Sequence, residues 1–402
     1  MFASGIIIVR NLSVAQYAYY TVAMSAVGVA AALSDSGMAG AVFAQGGRVW
    51  LQRDRLGAVL TAGLAIRSKI TVRCALLLSP LLLWMLVRQG APVFEALLLC
   101  VGAAPVFFAT SATSILEIPQ RLHQRLKFLQ FLQIGSGVLR LVCVALVALV
   151  LPVAWLVLMS SALAPILQNR KLRNQSTDIA DFDATQDSDA AQKIRQQITR
   201  SFPGALYYVF GGQLTVLLIS LFGTTENVAQ VGALGRIAMI VTLLLAVFFL
   251  VASPRYARIP ETETKKLLRW YLLLLGAIAA ACAAGLLFTW AFPNVVLFVL
   301  GSKYSALTSE VVLAVAAGAL QVLASASSNM AAVRGTVVSP FLTIPPSLAM
   351  QALLIYLLPL DSVSSMFWLS IGFSGVQLVV SFAVFLRRLI RDARLPGLTA
   401  RG

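Results

Sequence analysis

Charge is scarce in this sequence. Asp, Glu, Lys and Arg make up 11% of it, where a soluble chain carries about a quarter, so no soluble surface can be built from it. Acids are scarcer still, 15 against 31 Lys and Arg, and histidine occurs once, at His123. A single histidine excludes a histidine metal cluster. The four cysteines, Cys74, Cys100, Cys143 and Cys282, sit inside apolar runs and form no C-x-x-C pair, so neither a disulfide framework nor a zinc site is indicated. There is no Ser/His/Asp set, no nucleophile elbow and no phosphate-cradling glycine loop. Neither an enzyme nor a bound cofactor is expected. A cleavable signal peptide is not expected either, because the apolar residues 1–9 are short and lack a basic leader.

What is present is hydrocarbon. Apolar residues make up 59% of the 402 and the mean hydropathy is +0.87, so the solvent for most of this chain is lipid. Apolar runs between charge clusters predict twelve spans: 2–9, 17–33, 74–87, 94–116, 131–151, 153–167, 202–221, 231–252, 267–292, 311–332, 338–358 and 363–386. With the N-terminus in the cytoplasm, the connections leaving the even spans hold every Lys and Arg except Arg10, Arg88, Arg140, Arg236 and Lys303. That split predicts a multi-pass protein with both termini cytoplasmic. The net charge of +16, clustered between apolar blocks, suits anionic membrane lipids and not nucleic acid. The first span is a stub: its helix would rise about 13 Å, under half of a roughly 30 Å hydrocarbon core. A truncated first helix, with a start further upstream, is the expectation.

One connection, 168–199, is long and polar. Asp181-x-Asp183 and Asp187-x-Asp189 imitate the metal-binding pair of a glycosyltransferase, but no nucleotide-binding fold surrounds them, and composition predicts a solvated, mobile linker. The flanking halves look related. Val14-Ala15-Gln16 and Val228-Ala229-Gln230 open spans two and eight, and Glu95 and Glu310 open spans four and ten, at nearly one offset. The predicted architecture is therefore an all-α integral membrane protein of about 12 transmembrane helices in two pseudo-symmetric six-helix bundles. The bundles are residues 1–168 and 199–402, joined by a cytoplasmic linker at 169–198. Transporters built this way carry substrate at the interface between repeats.

The candidate functional residues are arginines inside the membrane. Arg140 falls near the middle of span five and Arg236 in the outer third of span eight. A central arginine costs about 2.5–3.5 kcal/mol on insertion scales and so faces a cavity or a partner. No acid lies near the midplane to serve as that partner. An anionic ligand such as a diphosphate fits, since guanidinium binds phosphate oxygens bidentately; hydrogen bonds to neighbouring carbonyls, Gln or Ser are the alternative. Arg10 and Arg88 read as interfacial anchors, with Arg10 placed to line a cavity mouth. Ala324 to Ser328 and Ala109 to Ala112 read first as packing surfaces; with Gln321 and Asn329 the former also offers a polar face for sugar hydroxyls. Pro203, Gly204, Gly211, Gly212, Pro340, Pro345 and Pro346 mark bends or hinges.

Four stretches in order resemble one family. Arg10-Asn11-Leu12-Ser13 with Tyr17-Ala18-Tyr19-Tyr20 is similar to its "R-x-L-S-x-x-x-Y/F-G-x-Y" opening. Leu33-Ser34-Asp35-Ser36-Gly37-Met38 resembles its "L-x-D-x-G-(L/M)" close of helix two. Ala252-Ser253-Pro254-Arg255-Tyr256-Ala257-Arg258 resembles the close of helix eight. Phe292-Pro293 through Leu300-Gly301-Ser302-Lys303-Tyr304 looks like "F-P…(L)G-x-x-Y" before helix ten. The family is the polysaccharide flippases, the Wzx-like branch of the multidrug/oligosaccharidyl-lipid/polysaccharide (MOP) superfamily. The resemblance implies two six-helix bundles around a cationic cavity and movement of undecaprenyl-diphosphate-linked oligosaccharide across the bacterial inner membrane. It also implies polysaccharide polymerase or export proteins as partners. Arg140, Arg236 and Arg10 would meet the diphosphate, and Gln213, Gln321 and Asn329 the glycan. Where many members carry Gln-x-Asp in helix seven, this chain has Gln213-Leu214-Thr215, which puts ion coupling there in doubt. The alternatives are a MATE-like drug exporter, which would be expected to use intramembrane acids, and a glycan polymerase or ligase, which would want a large catalytic outer loop.

Overall fold

The computed structural model describes residues 2–185, 187–257, 263–333 and 340–394. The regular structure among them is helical throughout, one of the two solutions, with the closed β-barrel, for a backbone that must be satisfied without water. By packing, the chain divides into two units, Ala3–Ala229 and Gln230–Gly402.

The first unit holds α1 (Phe2–Asn11), α2 (Val14–Asp35), α3 (Met38–Gly47), α4 (Arg53–Arg88), α5 (Val93–Leu116), α6 (Ile118–Leu122), α7 (Leu126–Val150), α8 (Ala154–Asn174) and α9 (Ser188–Phe222). α10 (Thr225–Ala257) begins in it and continues into the second unit, which adds α11 (Thr264–Ala291), α12 (Pro293–Leu300), a 3-10 turn (Ser302–Tyr304), α13 (Thr308–Val333), α14 (Pro340–Leu357) and α15 (Val363–Arg394). Each of the twelve runs read from hydropathy falls on its own helix; α3, α6 and α12 are short additions. Seven stretches of the described residues are long and apolar enough to cross a membrane, and Leu342–Leu357 is a shorter one. This is a multi-pass membrane protein. Its outside is oily: Phe131, Ile134, Val138, Val142, Leu146 and Leu149 of α7 are exposed and recur every three or four residues, while Leu129, Val144 and Ala148 on the other face are buried.

Local chemistry sets the helix ends. Ser13 caps α2, its Oγ accepting the Gln16 N–H at 3.2 Å. Ser36 and Gly37 hold φ of 36° and 79°, a left-handed pair that ends α2 and lets α3 depart at Met38. Pro80, Pro105 and Pro165 lie inside α4, α5 and α8, as membrane helices allow. The two repeat markers of the first half prove to be partners: Gln16 Nε2 donates to Glu95 Oε1 at 2.5 Å, and Gln16 Oε1 accepts the first N–H of α8, from Ala154, at 2.8 Å. One amide thus joins the starts of α2, α5 and α8. Just past the C-terminus of α4, Gln89 donates to the Ser220 carbonyl at 2.6 Å and accepts from Thr225 Oγ1 at 2.8 Å through its own carbonyl.

The polar connection differs from its composition. α8 runs on to Asn174 and α9 starts at Ser188, so only 175–187 lies between the helices. Ala180, Ala190 and Ile194 are buried against Met38, Val42, Leu56, Leu60 and Ile118. The strap between the helices is also bonded to α4: the Asp181 N–H donates to the Arg53 carbonyl at 3.2 Å, and Arg53 Nε to the Thr177 carbonyl at 3.0 Å. Gly57 marks the closest approach, for a Cβ there would overlap the Asp181 carbonyl. The aspartates serve local turns. Asp187 caps α9, Asp181 Oδ1 accepts the Asp183 N–H, Asp189 pairs with Lys193 and Asp178 with Arg125. Counting aspartates hid Ala180, Ala190 and Ile194, three residues of one buried cluster.

In the second unit α13 packs on α11 and α15, and α14 on α15. Ala324, Ala326 and Ser327 are fully buried, which lets the helices approach closely. Tyr271 of α11 stacks on Phe385 with ring centres 3.9 Å apart, and its hydroxyl meets Ser327 Oγ at 2.7 Å. Ser328 and Ser381 share a 2.8 Å hydrogen bond.

Candidate functional site

The polar chemistry of the first unit collects where α5, α7 and α8 pack together. Glu117, at the end of α5, is 5% exposed. Its Oε2 accepts from Arg121 at 2.5 Å, and its Oε1 from Gln133 at 3.1 Å and Gln168 at 3.4 Å. Next to it, Asn169 Nδ2 donates to the Ala109 carbonyl at 2.7 Å and Thr113 Oγ1 donates to Asn169 Oδ1 at 2.8 Å. A carboxylate this buried is tolerable because three donors and one guanidinium charge meet it.

Arg140 continues this seam. Seven residues separate it from Gln133, two turns on the same face of α7, about 10 Å along the axis. That face carries the buried Val144 and Ala148, so the arginine sits on the packed side of α7 and away from the lipid-facing stripe. It is half-buried, and its Nε is fully buried without a hydrogen-bond partner. Among the described residues no carboxylate forms an ion pair with it. A guanidinium in that condition offers strong donors to any anion that reaches it.

The other expected site residues are placed differently. Arg10 is exposed in the last turn of α1. Arg236 lies in the second unit, half-buried on α10, with Nη1 3.9 Å from Met239 Sδ. Gln321 accepts from Ser374 Oγ at 2.9 Å and donates to Ser325 Oγ at 3.3 Å, and Asn329 donates to the Ser325 carbonyl at 2.9 Å; these amide groups take part in the packing of their own unit. The Gln213 side chain lies outside the described residues.

Sequence reasoning missed Gln133, Gln168 and Asn169; the spacing of Gln133 from Arg140 was the available signal. It also counted Arg67 among loop charges. α4 begins twenty-one residues before the apolar run at 74, because polar residues can extend a helix beyond the hydrocarbon that hydropathy registers. Arg67 is therefore inside a helix and 4% exposed, its Nη1 donating to Asp35 Oδ1 at 2.8 Å and to the Ser34 carbonyl at 2.9 Å. Two apolar cavities also lie in this unit. One, of about 80 Å³, lies between α2, α4 and α5; the other, of about 220 Å³, lies between α2, α4 and α9. Neither is lined by Arg10 or Arg140.

Twelve principal helices with few charges, most of those charges basic, define a polytopic helical membrane fold, and solved structures show which one. An inward-facing multidrug-resistance MATE family transporter of the MOP superfamily matches with a TM-score of 0.73 at 18% identity, over 99% of this chain and 95% of that one. The lipid II flippase MurJ, in an inward closed conformation, matches with a TM-score of 0.73 at 10% identity, over 97% and 86%. The eukaryotic MATE transporter AtDTX14 matches with a TM-score of 0.67 at 16% identity, over 98% and 97%. No protein-family model and no curated protein sequence matches the chain. The chain shares the fold of these three solved structures.

Proposed function

We propose that the chain is a flippase for undecaprenyl-diphosphate-linked oligosaccharide in the bacterial inner membrane, working by alternating access with both termini in the cytoplasm. The observation that carries the reading is Arg140. A cation on the packed face of a membrane helix, with a buried donor left open and no acid beside it, is suited to a ligand that brings its own negative charge. Arg236 and Arg10 are proposed as further diphosphate contacts, and Gln213 as a glycan contact. Gln321 and Asn329 are weaker candidates, since they already bond within their own unit. The motif resemblance to polysaccharide flippases and the fold shared with a lipid II flippase support the substrate class. Anionic lipids and polysaccharide polymerase or export proteins are the proposed partners.

Export of small organic cations is the second reading, and the fold suits it equally. Its favouring observation is Glu117, a buried carboxylate. Arg121 already neutralises that carboxylate at 2.5 Å, which leaves a poor seat for a cation. Proteoliposomes separate the two readings. Wild-type protein is expected to move a lipid-diphosphate-linked oligosaccharide between leaflets and to leave a cationic dye in place. Arg140→Ala should slow lipid transfer by about 10- to 100-fold, the value of one or two charge-assisted hydrogen bonds, and Arg140→Lys less. Full transfer by Arg140→Ala removes Arg140 from the site, and dye efflux without lipid transfer overturns the reading.

A further inference from the structure

Glu117 decides what Gln133 presents on its far side. A carboxylate paired with Arg121 only accepts hydrogen bonds, so the Gln133 amide must aim its NH2 group at it, and Nε2 donates to Glu117 Oε1 at 3.1 Å. That fixes the amide oxygen on the side away from the carboxylate. Gln133 is exposed, and among the described residues nothing donates to its Oε1. Between Gln133 and Arg140, on the same face of α7, stands Gly137. It is exposed too, and a Cβ there would meet nothing within 4 Å. From Arg140 to Gln133 the helix therefore shows an open surface about 10 Å long. One end carries the buried, unpartnered Nε of Arg140, the other a fixed acceptor.

This surface lies across the helix from the lipid-facing Phe131, Ile134, Val138 and Val142. An amide oxygen turned to hydrocarbon would forfeit its hydrogen bond; on this side it is open to water or a ligand. The two ends ask for different chemistry. Arg140 takes an anion, whereas Gln133 Oε1 takes only a donor, and the carboxylate behind the amide polarises it into a stronger acceptor. A hydroxyl-rich group bonded directly to an anion answers both. In a sugar diphosphate the first ring is joined to the outer phosphate, which puts it between two long side chains spaced as these are. Resting on the flippase reading, we propose that Gln133, held by Glu117, accepts a hydrogen bond from a hydroxyl of the sugar next to the diphosphate. The glycan then lies along α7 from Arg140 toward α6. Glu117 is the positioning residue of this contact. In the proposed topology the α6 end is cytoplasmic, the side from which a newly assembled glycan arrives.

Proteoliposomes and two probes separate this role from a structural one: a polyprenyl diphosphate carrying one hexose, and the same diphosphate without sugar as its competitor. Gln133→Met keeps the length of the side chain and drops the acceptor. It should raise the half-saturating concentration of the hexose lipid about 3- to 10-fold, the value of one hydrogen bond, with the inhibition constant of the sugar-free lipid unmoved. Gly137→Leu crosses the open surface without disturbing the Glu117 bond, and should likewise weaken the hexose lipid more than its competitor. Arg140→Ala should weaken both probes. The assignment is overturned if Gln133→Met shifts both constants alike, as a packing defect would, or shifts neither. Wild-type handling of the hexose lipid by Gly137→Leu overturns it equally. Wild-type protein that moves no hexose lipid defeats the flippase reading first, and the sugar contact falls with it.

Discussion

Gly57→Ala should release the strap that joins the two halves of the sequence while leaving the helices it joins intact. At Gly57 the backbone of Asp181 lies so close that a methyl group would overlap its carbonyl. Contact distances between carbon and oxygen require the strap to retreat by roughly an ångström or more. That retreat removes the hydrogen bond from the Asp181 N–H to Arg53, worth about 1 kcal/mol. It also loosens Ala180 and Phe182, now packed on Leu56 and its neighbours, at about 1–3 kcal/mol more. The local cost is about 2–4 kcal/mol, and it falls on a segment able to open alone. Cleavage by chymotrypsin after Phe182, inside the strap, should therefore speed up roughly 30- to 1,000-fold when opening is fast relative to cutting. Gly40→Ala is the control, since nothing lies within 4 Å of a Cβ there. Equal cleavage of Gly57→Ala and wild-type protein would refute the packed strap and return the segment to a solvated linker.

Further outcomes follow from the same geometry. Glu117→Ala leaves the Gln133 and Gln168 amides and the Arg121 guanidinium without their acceptor; it should cost about 2–3 kcal/mol, read as a lowered midpoint of thermal unfolding in detergent, with Glu117→Gln milder. Gln16→Ala removes the bridge between Glu95 and the first N–H of α8, at about 1.5–3 kcal/mol; an unchanged melt would show that the bridge adds nothing. The corresponding pair in the second half, Gln230 and Glu310, predicts a drop of similar size for Gln230→Ala if the halves are true repeats.

The membrane fold was legible because hydropathy is written directly into composition: lipid forbids charge, so every long apolar run had to be a span. Helix ends were harder. α4 starts at Arg53 and α9 at Ser188, well before their apolar runs, because a helix outside the hydrocarbon uses the same polar residues as a loop. The same blindness hid Arg67 and turned a packed strap into a linker. At the site, the isolation of Arg140 could be read from the scarcity of acids. Its companions could not, because Gln and Asn announce neither a face nor a partner until helices are set side by side. Gln16 and Glu95 were noticed as markers of a repeat, yet the bond between them is a property of three dimensions.

The length of α4 has a mechanical consequence. Its 36 residues make a rod of about 54 Å, nearly twice the thickness of the oil it crosses. Pivoting such a rod by ten degrees about one tip swings the other through about 9 Å. The strap grips its first turns, at Arg53 and Gly57, where the lever arm is longest. A partner pulling on that grip would do so with the greatest advantage the helix offers, turning a small tug outside the bilayer into a tilt felt along the whole span.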